Sequence, residues 1–181
     1  MRPVGYLVNT EEGLEGEPGL FYNYITAGNG LFIRAGNPFV EATVLIGDAQ
    51  VRGCAPLEDK VELPKGKIPK RLYDLALSNL CAEPYRERYL AVVWEGEYHL
   101  RVPHQDGSSY GVEYEPVPHT VLDIHSHATM HAFFSGTDNG DEQGLRLYMV
   151  VGKLNSLFPE AKLRVGVYGY FAPIRMEDIF V

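Results

Sequence analysis

Apolar positions along this chain fall into two regimes that meet near residue 64. Before it, short runs at 19–26, 31–35, 40–46 and 49–54 are rich in aromatic and β-branched residues and have strand length. Asn29-Gly30 between the first two runs is a hairpin signal. This region predicts a small antiparallel sheet, or an extension of a larger one. Beyond it, Pro69 opens a helix that runs to about Cys81, with Ile68, Leu72, Leu75, Ala76 and Leu80 on one stripe. Strands are predicted at 88–94 and 97–103 around a Glu95-Gly96 turn, near 111–115, and at 120–124 after a Pro-containing turn at 116–118. A short helix at about 136–145, a strand at 145–151 and a strand at 163–170 complete the pattern. Nothing repeats. The expected fold class is α/β or α+β: a mixed sheet flanked by helices over 65–181, with a β-rich N-terminal extension over 1–64.

Chemistry concentrates where the strand at 120–124 ends. His125-Ser126-His127 is followed by seven residues and then Ser135-Gly136-Thr137-Asp138. Side chains alternate along a strand, so His125 and His127 share a face, with Leu122, Ile124 and Ser126 on the other. Ser135 reads as a helix N-cap with Asp138 at N3. Two imidazoles and one carboxylate make three protein ligands, which leaves a fourth zinc position open for a reactive water. Each piece also has an ordinary structural explanation. Ser-x-x-Asp is a capping box in its own right, and His-x-His can be a polar strand face. His131, among Met130, Ala132, Phe133 and Phe134, reads as a loop or core histidine.

The order H-x-H-x7-S-x-x-D resembles the JAMM signature of the JAB (Mov34/MPN) metal-dependent proteases and deubiquitinases. The JAMM resemblance covers roughly residues 66–181. Stretches from Arg52-Gly53 through 122–144 to 166–171 are similar to a prokaryotic branch, the PRTRC system protein A family, encoded beside ThiF-like and ParB-like partners. The resemblance implies a JAB/MPN-like, cytidine-deaminase-like sheet and zinc held by His125, His127 and Asp138. It gives Ser135 the oxyanion and makes an upstream glutamate the general base. Glu87 occupies the family's place for that base, with Glu95 and Glu97 as alternatives, and an ion pair within Arg86-Glu87-Arg88 is the competing explanation. The implied activity is zinc-dependent hydrolysis of peptide or isopeptide bonds in a ubiquitin-like or sulfur-carrier protein tail, or in a ThiF-linked carrier. Such a tail would add to the edge of the 88–94 or 97–103 strand. Two departures stand out: Ala128 replaces the proline that many members carry, and the segment 87–94 lacks the family's glycines.

Composition narrows the alternatives. A net charge of −8 disfavours a nucleic-acid surface and favours a partner with a basic face. No leader and no long apolar run occurs, which predicts a cytoplasmic, non-membrane protein. Cys54 and Cys81 form no C-x-x-C pair and read as buried thiols of a reducing compartment. Two other classes remain open: an inactive JAB-fold binding scaffold lacking the base, and a different 2-His-1-carboxylate metalloenzyme such as an iron oxygenase. A metal-dependent phosphoesterase barrel fails on length, since too little chain follows His127.

Overall fold

Residues 89–94 are apolar at every position, and 120–126 are buried at every position but His125 despite four polar residues, patterns that suit strands covered on both faces rather than one. The structure, a computed structural model, describes residues 2–107 and 112–181. The fold is mixed α+β, with two six-stranded sheets, both mixed, and few helices. By packing, the chain divides into two units. The first comprises Met1–Gly66 with Gln143–Leu145 and Gly166–Ala172; the second comprises Lys67–Glu142, Arg146–Val165 and Pro173–Val181.

The first unit holds β1 (Val4–Thr10), β2 (Gly13–Glu17), β3 (Tyr22–Ala27), β4 (Gly30–Gly36), β5 (Glu41–Asp48) and β6 (Lys60–Glu62), in the order β2-β1-β3-β4-β5-β6. The Asn29-Gly30 hairpin forms as expected, with Ala27 opposite Gly30. The sheet is not purely antiparallel, because β1 and β3 run parallel. Strands β1, β2 and β6 escape the apolar pattern; β2 has no buried residue and so carries no periodicity to detect. Leu7, Ile25, Ala27 and Phe32 form a core cluster on one face, with Leu45 and Leu57 against it. The run at 49–54 is a loop, contrary to expectation. It and the residues after it are tied down by single contacts: the Val51 amide donates to the Gly28 carbonyl (3.1 Å), and Asn29 bonds both the amide and the carbonyl of Leu57 (2.9 and 2.8 Å).

The later elements are α1 (Lys70–Cys81), β7 (Tyr89–Trp94), β8 (Tyr98–Arg101), β9 (Gln105–Gly107), β10 (Val112–Tyr114), β11 (Thr120–Ser126), α2 (Gly136–Asp141), β12 (Leu145–Gly152), β13 (Glu160–Val167), β14 (Tyr170–Pro173) and α3 (Met176–Ile179). Of the strand expected at 111–115, Gly111 lies outside the described residues. The second sheet has the order β14-β13-β12-β11-β7-β8. Strand β11 sits inside it, parallel to β12 and antiparallel to β7, so Leu122, Ile124 and Val121 are fully buried. Helix α1 buries Leu72, Ala76 and Leu80, one i+4 row. Leu75, expected on that stripe, is 55% exposed, while Ile68 is buried ahead of the helix and bridges to Phe180. The expected strand at 163–170 is two strands, because Tyr168 and Gly169 both have positive φ (48° and 90°) and turn the chain between β13 and β14. The helix expected to 145 stops at Asp141. Among the described residues no helix is long and apolar enough to cross a membrane.

Truncating β11 should test its central place. Leu122→Ala is expected to cost about 2–5 kcal/mol, the usual range for a fully buried leucine, measured by urea unfolding.

Candidate metal centre

Strand parity carries Asp123, His125 and His127 on one face of β11, and Leu122, Ile124 and Ser126 on the other. The strand ends at Ser126, and the His127 amide adds one more bond to β12 by donating to the Val151 carbonyl (2.8 Å). The chain then turns at Ala128, whose φ is 48°. A proline ring, held near −65°, cannot take that conformation. The alanine therefore suits this backbone where a proline would not. Gly152 closes the other side of the turn, since a Cβ there would lie 2.4 Å from the Met130 carbonyl oxygen and from the Ala132 amide.

Ser135 caps α2 and forms a reciprocal box with Asp138. The Ser135 hydroxyl accepts from the Asp138 amide (3.1 Å), and Asp138 Oδ2 accepts from the Ser135 amide (2.5 Å). That geometry turns the Asp138 carboxylate back to the strand end. Its Oδ1 lies 3.4 Å from His125 Nε2 and its Oδ2 3.9 Å from His127 Nε2. One donor atom from each of the three residues falls within 4.8 Å of the others. Phe133 packs edge-on against the His127 ring (centroids 4.5 Å apart), and Phe134 against His125 (6.4 Å).

The donor set fits a metal ion on the structure's own terms. His125 Nε2, the nitrogen that faces Asp138, is buried with no hydrogen-bond partner, a costly state unless something else takes up its lone pair; on His127 it is Nδ1 that is buried without a hydrogen-bond partner, while Nε2 faces Asp138. Burial pushes the His125 imidazole down to about 4 against the opposing pull of Asp138, and burial also lowers His127. Both rings are then neutral at physiological pH, the form that ligates. Two neutral imidazoles and a carboxylate are an ordinary zinc donor set.

Glu87 comes to the same place through the sheet register. Tyr89 of β7 pairs with His125, so the residues just before β7 lie beside the His125 end of β11. Ser126 fastens them: its amide donates to the Arg88 carbonyl (2.9 Å), and its hydroxyl accepts from the Arg88 amide (3.0 Å) and donates to the Arg86 carbonyl (3.4 Å). Glu87 is held between those anchors. Burial, and then the charge of Asp138, raise its carboxyl to about 7. Among the described residues Arg88 pairs with Glu83 (3.6 Å), and Glu87 enters no ion pair. Glu95 and Glu97 follow Trp94 at the far end of β7, roughly 20 Å along the strand at its usual rise. There Glu95 pairs with Arg101, and Glu97 lies 3.7 Å from His99. His131 is an exposed loop residue paired with Glu160 (3.0 Å) and stands outside the cluster.

Two buried polar groups near the site were not anticipated. Asp123 accepts from Tyr89 Oη and from Arg146 Nη1 (2.8 Å for the latter). Its place on the histidine face follows from parity alone, but its partners do not. Arg164 of β13 pairs with Glu142 and Asn139 and stacks on Phe134, four residues that no local pattern connects. No protein family matches the chain, and no curated protein matches it.

The raised Glu87 carboxyl gives a pH signature in the metal-free protein. The folded state holds the Glu87 proton to about pH 7, whereas an unfolded glutamate releases it near 4.5. Stability from this group is therefore present at low pH and lost as pH rises between those values. Glu87→Gln lacks that loss, so it should stabilise the metal-free chain more at pH 8 than at pH 5. Urea midpoints at the two pH values check this, and an equal difference at both would contradict the burial of Glu87.

Proposed function

We propose that this protein is a zinc-dependent hydrolase of peptide or isopeptide bonds with a JAB/MPN-like catalytic domain. The observation that carries the reading is the convergence of His125, His127 and Asp138 at the end of β11, with one buried nitrogen on each histidine, His125 Nε2 and His127 Nδ1, that has no hydrogen-bond partner. The resemblance of H-x-H-x7-S-x-x-D to the JAMM signature supports it. His125, His127 and Asp138 would hold the ion, and zinc so held would supply Lewis acidity for the carbonyl and for a water near neutral pH.

The remaining steps belong to the chain. Glu87 takes a proton from the attacking water and returns it to the leaving amine, a task suited to a carboxyl that titrates near neutrality. Ser135 is already fixed as a cap. Because its oxygen accepts from the Asp138 amide, its own O–H remains able to donate to the developing oxyanion. No nucleophilic side chain is required, and Cys54 and Cys81 take no part. The flexible tail of a ubiquitin-like or sulfur-carrier protein, delivered by a ThiF-like partner, is the substrate class we propose. Of the two strands expected to receive such a tail, β7 lies between β11 and β8, so β8 is the outermost strand on that side of the sheet among the described residues, and a tail would add there.

Metal analysis tests the centre first. Purified protein should carry about one zinc per chain, and the double variant His125→Ala/Asp138→Ala should carry none; full retention would sink the ligand assignment. Iron in place of zinc would instead favour an oxygenase with the same donors.

Turnover tests the chemistry. Zinc-loaded protein incubated with candidate carriers should release products cut after a small-residue tail, seen by mass spectrometry. Glu87→Gln should keep its zinc and lose cleavage by at least about 100-fold, the lower range for a general base. If Glu87→Gln cleaves as fast as wild type, the base lies elsewhere; if no carrier is cut by the zinc-loaded protein, the scaffold reading takes its place.

A further inference from the structure

We infer that Arg164 is the positioning residue that holds Asp138 in place for the metal, a role that rests on the ligand reading above. Helix α2 is a weak element by itself. Its sequence, Gly136-Thr137-Asp138-Asn139-Gly140-Asp141, contains two glycines and an asparagine, and it has no buried residue. Six residues are too few for a helix to persist without outside support. The reciprocal box with Ser135 secures only the first turn.

Arg164 secures the rest. From β13 its Nε and Nη2 donate to Glu142 Oε2 (2.8 and 2.5 Å), and its Nη1 donates to Asn139 Oδ1 (2.7 Å). Its guanidinium lies over the Phe134 ring, 3.8 Å from the centroid. The contacts therefore fall on both sides of Asp138, at 134 and at 139 and 142. Two relays reach the ligands: the Glu142 amide donates to the Asp138 carbonyl (2.8 Å), and Phe134 packs edge-on against His125. Arg164 and Glu142 are only 7% and 8% exposed, so the pair is shielded from water. Only a planar fork reaches a carboxylate, an amide oxygen and a ring face together; a lysine cannot. Such a buried pair adds little net stability over apolar side chains of similar volume. Its effect falls on the geometry of what it holds.

The experiment compares wild type, Arg164→Lys and the double variant Arg164→Met/Glu142→Leu, which removes the pair without stranding a buried charge. Zinc affinity is read by competition with a chelator, and fold by thermal melting. The double variant should melt near wild type yet bind zinc about 10–100-fold more weakly, the range for residues that orient metal ligands, with Arg164→Lys between. Amide hydrogen exchange of the metal-free proteins should be faster at 136–142 in both variants and unchanged along β11. Wild-type affinity and wild-type exchange in a folded variant overturn the inference. Should the double variant melt early, Arg164→Lys carries the same comparison. If wild type itself takes up no zinc, the ligand reading fails separately, and exchange at 136–142 still decides the part assigned to Arg164.

Discussion

The structure of the candidate site depends on one constraint: β11 is buried on both faces, so its polar residues can lie only where they find partners or where the strand leaves the sheet. Leu122, Ile124 and Val121 commit the strand to the interior between β7 and β12. Of the polar groups, Asp123 is neutralised by Arg146 and by the Tyr89 hydroxyl. Ser126 spends its hydroxyl on the backbone that flanks Glu87. Thr120 donates its hydroxyl to the Val117 carbonyl, which leaves His125 and His127, each with one buried nitrogen that makes no hydrogen bond. A strand so dry has little use for unpaired imidazoles unless they bind something.

The same dryness sets the electrostatics. Desolvation lowers both histidines and raises Glu87, so two bases stay neutral while an acid keeps its proton further up the pH scale. These shifts run in the direction that ligation and proton transfer need. Burial is the first cause of all three; the Asp138 charge adds to it at Glu87 and opposes it at both histidines.

Against this rigid strand stands α2, which reaches the site with no apolar side chain of its own to bury. Polar fastenings replace packing there: the Ser135 box at its start and the Arg164 fork at its end. A ligand on such an element is only as well placed as those bonds. The site thus joins two different kinds of precision, one from a packed sheet and one from a small hydrogen-bonded frame.

Much of this was readable along the chain. The H-x-H parity, the Ser135 cap with Asp138 at N3, helix α1, the hairpin at Asn29-Gly30 and strands β7, β8, β11 and β12 depend on neighbours a few residues apart, and the amino-acid order alone determines them. Where local patterning was weak or misleading, the reading failed: β1 and β2 in the first unit, the loop at 49–54, and the turn at Tyr168-Gly169 that cuts one expected strand in two. The choice among Glu87, Glu95 and Glu97 needed pairing between distant segments, because only the register of β7 on β11 shows which end of β7 meets His125. Arg164 lay wholly beyond the sequence, since nothing local ties a β13 arginine to residues 134, 139 and 142. Periodicity records which face a residue takes; which distant residue faces it is decided by how sheets and loops close on one another.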